Sequence, residues 1–147
     1  MDFLRRSYIF WMVGIISIIL AVDRLTKWYF LKNPNLYFGD WFKLSLFRNF
    51  DFYFFPLSQW LIIIFTVGSI AAFGYLFWRG INRGENFVVF TTLLILVGGL
   101  SNLFDRIFFN FVIDWLHFGA NSFSVINIAD LMIVGGITGL FIFFSKK

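Results

Sequence analysis

Four long apolar segments constrain this chain more than any other feature. They lie at roughly 8–28, 56–78, 87–105 and 126–144, and each is close to the about 20 apolar residues that a helix needs to cross a bilayer core. The composition agrees, since 60% of the residues are hydrophobic and 14% are charged, against about 25% charged in a soluble domain. We therefore expect an all-α membrane protein with four transmembrane helices, in one domain over 1–147. No small-residue cleavage site follows the first segment, so we expect it to stay as an anchor.

The composition also excludes several kinds of site. The chain has no cysteine, which rules out disulfides, thiolate nucleophiles and cysteine metal sites. Its one histidine, His117, cannot form a multi-histidine metal centre within one chain. There is no basic stripe or recognition motif for nucleic acid. The serines lack a lysine or histidine at a convincing spacing, although Lys27 beside Ser101 or Ser122 stays open as a serine–lysine pair.

Charged residues near the segment ends favour cytoplasmic termini. Four spans place both termini on one side, which then carries six basic and two acidic residues, while the opposite side carries six of each. Lysine and arginine are equally numerous on the two sides, so the orientation depends on the short, unbalanced segments next to the helix ends. We expect the termini inside the cell and the opposite ends of the helices outside.

Glycines indicate which helices approach each other closely. Gly98 and Gly99 lie in the third segment, and Gly135, Gly136 and Gly139 lie in the fourth. Small residues let the backbones of two membrane helices come near each other. The pattern predicts tight packing between the third and fourth helices.

Polar residues recur at the outer ends of three segments at helical spacing. Within each set they stand three or four positions apart, which places them on one helix face. Any single set is more often a solvated helix end or a structural ion pair. Together the sets indicate one shared site, formed by Asp23, Lys27, Asn102, Asp105, Arg106, Asn127 and Asp130 with Arg48 and Asn49 from an outer loop.

Two of the acids, Asp114 and Asp130, have no basic partner nearby in sequence. Between residues 107 and 131, only His117 can carry a positive charge, and it does so only when its imidazole is protonated. Two carboxylates held together in a partly dry site do not both ionise, so one keeps a proton while the other accepts one. This is the arrangement of an aspartic protease. The spacing leaves a second interpretation open, in which Asp114 caps a turn and Asp130 caps the fourth helix.

Five short motifs carry a resemblance to a known family. They are VDRLTK at 22–27, FRNFDFYF at 47–54, GGLSNLFDR at 98–106, VIDWL at 112–116 and INIAD at 126–130. In their order and spacing the chain resembles bacterial lipoprotein signal peptidases, also called signal peptidase II, over nearly its whole length. The resemblance implies a small extracytoplasmic β-cradle over roughly 31–55 with a short interfacial helix beside it.

The resemblance also implies an activity. Asp114 and Asp130 match the family's catalytic aspartates, and the family removes the signal peptide from diacylglyceryl-modified prolipoproteins by cutting before the lipidated cysteine. It uses no metal or organic cofactor. We expect a monomer in the bacterial inner membrane whose partners are those substrates and membrane lipid. The matching supporting positions, which shape the site and hold the substrate, are Asp23, Lys27, Asn49, Asn102, Asp105, Arg106 and Asn127.

One position departs from the family pattern, and one other class of function competes. Asp51 stands where the family's outer loop usually has glycine, so a different loop path is expected there. The competing class is a non-catalytic membrane protein, either a lipopeptide-binding relative or a small proton-coupled transporter using Asp23, Asp105, Asp114 and Asp130. A transporter would place acids at the membrane midplane, whereas these acids lie at outer segment ends.

Overall fold

The computed structural model describes residues 3–34, 42–50, 58–118 and 124–146. Four helices in this part of the chain are long and apolar enough to cross a membrane, and a small three-stranded sheet accompanies them. The predicted fold class is therefore confirmed. In chain order the elements are α1 Phe3–Lys32, β1 Phe42–Asn49, α2 Gln59–Arg83, α3 Asn86–Phe109, β2 Val112–Phe118, β3 Ser124–Ile126 and α4 Ile128–Ser145.

Local signals in the sequence set the helix ends. Helix α2 ends at Gly84, whose φ of 72° is left-handed, and glycine adopts this conformation without a steric penalty. Helix α3 ends at Asn110, which is also left-handed with a φ of 63°. Helix α4 begins at a capping box formed by Asn127 and Asp130. Helix α1 continues beyond the apolar stretch through Asp23 to Lys32, because its polar residues at that end lie buried against other elements.

Helix α3 is the centre of the bundle, with α1, α2 and α4 packed against it. A Cβ atom on Gly98 would lie 2.6 Å from the carbonyl oxygen of Ala129 on α4, and one on Gly136 would lie 2.6 Å from that of Thr91 on α3. Only glycine permits so close a contact. The tight packing of α3 against α4 is confirmed, although Gly135 has nothing within 4 Å of its added Cβ.

The sheet lies at the end of the bundle where α3 ends and α4 begins. Its strands pair antiparallel in the order β1-β2-β3. We expected the cradle at 31–55, and β1 falls there, but β2 and β3 lie outside that range, at Val112–Phe118 and Ser124–Ile126. The rest of that expected region, including Asp51 and the site of the short interfacial helix, lies outside the described residues.

Two contacts fix the position of β2. Trp115 stacks on Phe30 of α1, with ring centroids 4.9 Å apart. On the other side, Nε2 of His117 lies 2.9 Å from Oγ and 3.0 Å from the carbonyl oxygen of Ser45, within a β-bulge of β1 between Leu44 and Phe47. His117 is therefore a structural residue that holds β1 and β2 together.

Candidate active site

The nine residues that the family resemblance predicts for the site lie at one end of the bundle, where the sheet covers the helix ends. The tenth predicted residue, Arg48, is exposed on β1, with its Cζ 5.6 Å from the centroid of the Phe111 ring. The nine come from five different elements, so no single helix or strand carries the site. Helix α1 supplies Asp23 and Lys27, β1 supplies Asn49, α3 supplies Asn102, Asp105 and Arg106, β2 supplies Asp114, and the start of α4 supplies Asn127 and Asp130.

The start of α4 fixes the position of Asp130. The side-chain oxygen of Asn127 accepts a hydrogen bond from the backbone N–H of Asp130 at 2.9 Å. In return, Oδ2 of Asp130 accepts from the backbone N–H of Asn127 at 3.1 Å. This reciprocal capping box satisfies donors that the first turn of a helix leaves free. The carboxylate of Asp130 is therefore held by the same contacts that begin the helix.

The four carboxylate oxygens of Asp114 and Asp130 each accept one amide N–H. Oδ1 of Asp114 accepts from Asn127 Nδ2 at 2.6 Å, and its Oδ2 accepts from Asn49 Nδ2 at 2.9 Å. Oδ1 of Asp130 accepts from Asn102 Nδ2 at 2.7 Å, while its Oδ2 accepts from the backbone of Asn127. Asn127 thus contacts both acids. The simpler interpretation, in which the two acids only cap separate elements, does not account for these shared donors.

The environment of Asp114 changes its protonation. Its side chain has no exposed surface, and burial, followed by the charge of Asp130, raises the pKa of Asp114 to about 7 although hydrogen bonds from Asn49 and Asn127 lower it. Because the charge of Asp130 acts on Asp114, the two acids titrate as a pair. Near neutral pH the pair can hold one proton, which leaves one carboxylate to accept a proton and one carboxylic acid to donate a hydrogen bond.

A buried ion cluster lies beside the two acids. Lys27, Asp23 and Asp105 have no exposed surface. The ammonium of Lys27 lies 3.2 Å from Asp23 and 2.9 Å from Asp105, and it donates to Oδ1 of Asn102 at 2.9 Å. The predicted pairing of Asp23 with Lys27 is confirmed. Because Asn102 also bonds Asp130, the cluster supports the acid pair through one amide side chain.

The cluster also joins the helices and the sheet. Oδ1 of Asp23 on α1 accepts from the backbone N–H of Ala129, in the first turn of α4, at 2.9 Å. Oδ2 of Asp105 on α3 accepts from the backbone N–H of Ile113 on β2 at 3.4 Å. These two hydrogen bonds fix the positions of α4 and β2 relative to α1. Since α4 carries Asp130 and β2 carries Asp114, the ion cluster connects the elements that hold both acids.

Ser101 does not serve as a nucleophile in this geometry. Its hydroxyl donates to Oδ2 of Asp23 at 2.6 Å and accepts from Nζ of Lys27 at 3.4 Å. Lys27 is thus a donor to Ser101, and it also contacts two carboxylates and an amide oxygen. A catalytic lysine needs a free lone pair near the serine. The serine–lysine alternative for Ser101 is therefore unsupported, and Ser122 lies outside the described residues.

One residue of the site was missed in the sequence. Arg24 places its Nη1 2.6 Å from Oδ1 of Asp105, so an arginine of the neighbouring helix α1 pairs with that acid. The spacing of four residues predicts that Asp23 pairs with Lys27, and it gives no role to Arg24. No spacing rule links residues of α1 and α3, so only the packing of the two helices reveals this ion pair.

Arg106, next to Asp105 on α3, also belongs to this end of the bundle. It is 8% exposed and lies within electrostatic range of Asp114 and Asp130. Its Nε is buried and has no hydrogen-bond partner among the described residues. Buried donors are nearly always paired in native proteins. Arg106 Nε is therefore a buried donor whose partner the described residues do not supply.

Relatives with this sequence pattern are known. The family described as "Signal peptidase (SPase) II" matches residues 15–146. A protein named lipoprotein signal peptidase from Buchnera aphidicola subsp. Schizaphis graminum is 33% identical over 146 residues, covering 91% of this chain and 93% of the relative. One of the same name from Bartonella henselae is 32% identical over 154 aligned residues, covering 94% and 90%.

The fold has solved counterparts as well. The chain superimposes on a bacterial membrane enzyme with a TM-score of 0.76 at 21% identity, covering 90% of this chain and 91% of that one. A second bacterial membrane enzyme gives a TM-score of 0.74 at 20% identity, with 92% and 87% covered. At this identity the likeness concerns the fold, which is the same four-helix arrangement.

These similarities define the class first: the chain is a multi-pass membrane peptidase, and therefore a hydrolase, of the bacterial inner membrane. It belongs to the signal peptidase II family. The resemblance seen in the five motifs is confirmed. Removal of signal peptides from prolipoproteins is the activity that this membership supports, and the transporter interpretation is not favoured.

Proposed function

We propose that this protein is an aspartic endopeptidase in which Asp114 and Asp130 are the catalytic pair. Its substrates are prolipoproteins that already carry a diacylglyceryl group, and it cuts before the modified cysteine. The observation that supports this proposal is the set of four amide donors on the four carboxylate oxygens. Amide donors hold the four oxygens without adding positive charge, which suits a carboxylate pair that shares one proton.

The reaction follows from that shared proton. The ionised carboxylate takes a proton from a water molecule, and the water oxygen attacks the carbonyl carbon of the scissile peptide bond. The protonated carboxylic acid gives its proton to the carbonyl oxygen, and a tetrahedral diol forms. The carboxylic acid that took the water's proton then gives it to the leaving nitrogen, which becomes the free amino group of the cysteine. The other carboxylate recovers its proton from the diol as the new carboxyl group forms.

Arg106 has a place in this scheme. Its unpaired Nε lies among the charges of Asp114 and Asp130, so it can donate to a carbonyl oxygen of the bound substrate. A buried donor that gains its partner only on binding strengthens recognition of the correct peptide. We assign Arg106 to substrate binding, and Asp23, Lys27, Asn49, Asn102, Asp105 and Asn127 to positioning of the acid pair.

The location of the site suits a substrate that stays in the membrane. Asp130 lies in the first turn of the apolar helix α4, and Asp114 lies on β2, which covers the same end of the bundle. We place this end at the level where the signal peptide leaves the hydrocarbon core. We place this end on the outer face, with both termini in the cytoplasm, because the terminal segments carry the excess of positive charge. The enzyme acts as a monomer without a metal or organic cofactor.

Cleavage of matched substrates tests this function. Purified protein in lipid is given one prolipoprotein with and without the diacylglyceryl group, and mass spectrometry locates the cut. We expect a cut directly before the cysteine of the lipidated form alone, at the same rate with and without a chelator. Equal cutting of both forms would reject the lipid requirement. Loss of activity with the chelator, restored by added metal, would reject the acid-pair mechanism.

A further inference from the structure

Asn49 donates to Asp114 from the end of strand β1. Its backbone pairs with Val112, and this is the last pair of the ladder between β1 and β2. Its Nδ2 lies 2.9 Å from Oδ2 of Asp114. The end of a strand is supported by the ladder on one side only, so it opens more readily than the middle. A donor in this place keeps its direction only if another contact holds the chain that follows it.

Two contacts hold the next residue, Phe50. Its ring lies against that of Phe111, with centroids 5.4 Å apart, and its carbonyl oxygen accepts a hydrogen bond from Nε2 of Gln59. The ring contact alone leaves the carbonyl group of Phe50 free to turn, because rotation about a single backbone bond reorients it. The amide of Gln59 removes that freedom and so fixes the course of the chain where it leaves Asn49.

Gln59 is itself fixed at the start of a long helix. It is the first residue of α2, and the hydroxyl of Ser58 caps this start by accepting from the backbone N–H of Leu61 at 3.5 Å. Helix α2 packs on α3, and such packing is what makes a helix rigid in a protein. The bond to Phe50 therefore connects the end of β1 to the one transmembrane helix of the described chain that supplies none of the nine site residues.

The side-chain oxygen of Gln59 indicates that this residue is held by its nitrogen. Oε1 is buried and has no hydrogen-bond partner in the part of the chain that the structure describes. The amide cannot be reversed, since Oε1 would then face the carbonyl oxygen of Phe50, and two acceptors form no hydrogen bond. A buried acceptor without a partner costs free energy, which a glutamine turned into water would avoid. The bond from Nε2 to Phe50 offsets this cost.

We propose that Gln59 is a positioning residue of the active site, which holds Phe50 and so keeps the amide of Asn49 directed at Asp114. The inference rests on the function proposed above. Among the described residues, the side chain of Gln59 bonds only to Phe50. Gln59 therefore influences the acid through Asn49 and not by a contact of its own.

The titration of Asp114 reports whether Asn49 is in place. Burial raises the pKa of Asp114 to about 7, and the hydrogen bond from Asn49 opposes that rise because it stabilises the charged form. An uncharged substitution at Gln59 leaves every charge around Asp114 unchanged. If it loosens Asn49, the pKa of Asp114 rises further. The charged groups that act on Asp114 from other elements are Asp130, Lys27 and Arg106.

Gln59→Met tests the proposal, because methionine is unbranched and of similar length but has no N–H to donate. Two quantities are measured: the pH dependence of kcat/KM, and the NMR titration of Asp114 in protein with isotope-labelled aspartate carboxyl groups, assigned with Asp114→Asn. We expect the alkaline limb and the titration both to move to higher pH, by up to about one pH unit, as the weakening of one hydrogen bond to an ionised group implies.

A double variant shows by which route Gln59 acts. Asn49→Leu/Gln59→Met should titrate as Asn49→Leu does alone, because both changes remove the same interaction with Asp114. Gln59→Asn keeps the amide but is shorter by one methylene, so it loses its reach to Phe50 and should shift the titration in the same direction. It keeps the test valid if Gln59→Met fails to fold.

Ser58→Ala is the matched control. It removes the side-chain cap of α2 next to Gln59 and so weakens the same helix start, while the bond to Phe50 stays. Its alkaline limb and its titration should coincide with those of the wild-type protein, even if it unfolds at a lower temperature. A Gln59→Met variant that behaves in the same way would show that Gln59 only stabilises α2, and the positioning role would be wrong.

The two readouts separate the inference from the function on which it rests. If the wild-type protein does not cut a diacylated prolipoprotein but the titration of Asp114 moves in the Gln59 variants as expected, the proposed function is wrong and the positioning role stands. If it cuts but neither readout moves in those variants, the function stands and the positioning role is overturned. A double variant that titrates well above Asn49→Leu would also overturn it, since Gln59 would then act by another route.

Discussion

Asn127 shows how one side chain can serve both the fold and the site. Its oxygen caps α4, and its nitrogen donates to Asp114 on a different element. Because the helix start fixes the oxygen of the amide, it also fixes the direction in which the Nδ2 of Asn127 donates. A serine or threonine would cap the helix equally well but would not supply the planar pair of acceptor and donor. The motif INIAD thus encodes the geometry of the acid pair as well as a helix start.

The pH profile of the enzyme should report the shared proton. Burial and the charge of Asp130 raise the pKa of Asp114 to about 7, and above this pH the pair loses the proton that it needs. We expect kcat/KM to fall as the pH rises through about 7. Asn49 stabilises the charged form of Asp114 through its hydrogen bond. Asn49→Leu should therefore raise this pKa and move the alkaline limb to higher pH.

The control is Asn33→Leu, a change of the same type at an exposed residue that bonds only to the backbone of its own helix. The alkaline limb of the pH profile of this variant should coincide with that of the wild-type enzyme. A limb that moves to lower pH in Asn49→Leu, or that does not move, would show that the proton controlling activity is not the one on Asp114.

At the scale of secondary structure, the buried ion cluster fixes helix α1 to the rest of the site. Lys27 stands between Asp23 and Asp105 without any exposed surface. A buried charge that loses its partner is strongly destabilising, although an intact buried pair need not be stabilising. The role of this cluster is to fix the positions of α4 and β2, since its two carboxylates bind both Lys27 and the backbone of those elements.

Removing that lysine should therefore weaken the fold. We expect Lys27→Met to lower the free energy of unfolding by about 3–5 kcal/mol, because it leaves two buried carboxylates facing each other. Lys32→Met is the control, since Lys32 is exposed and its Nζ lies 4.1 Å from the centroid of the Trp28 ring, away from the buried cluster. Unfolding in a denaturing detergent measures both, and equal losses in the two variants would contradict the role assigned to Lys27.

The interface between α3 and α4 allows a matched comparison of neighbouring glycines. An added Cβ on Gly136 would lie 2.5 Å from Cγ1 of Ile95 and 2.6 Å from the carbonyl oxygen of Thr91, whereas one on Gly135 meets nothing within 4 Å. Gly136→Ala should lower the free energy of unfolding by about 1–3 kcal/mol through overpacking. Gly135→Ala should be neutral or stabilising, because alanine favours helix. Equal effects would mean that the helices do not approach as closely as described.

Much of this could be predicted from the sequence, and the remainder has a physical reason. Long apolar segments determine membrane helices almost by themselves, so α1 to α4 were expected. The segment VIDWLHF gave no strand signal that we recognised, because Asp114 interrupts the apolar alternation and its pairing partner, β1, lies more than sixty residues earlier. Likewise the contact of Arg24 with Asp105 depends on how two helices pack, which local spacing does not reveal.

At the scale of the whole molecule, the four helices act as a frame that brings distant polar residues to one end. The acid pair, the ion cluster and Arg106 come from segments that are far apart in the chain, and the sheet covers them. Burial under this cover is what changes the protonation of Asp114.

The central claim is that Asp114 and Asp130 carry out the cleavage together. Its most direct test is the rate of cutting of a diacylated prolipoprotein by wild-type enzyme, Asp114→Asn and Asp130→Asn, each first shown to be folded. We predict that each substitution abolishes cutting, and that Asp114→Asn unfolds no earlier than the wild-type protein at neutral pH, because burial already disfavours the charge it removes. Cleavage at the wild-type rate by either folded variant would contradict the claim.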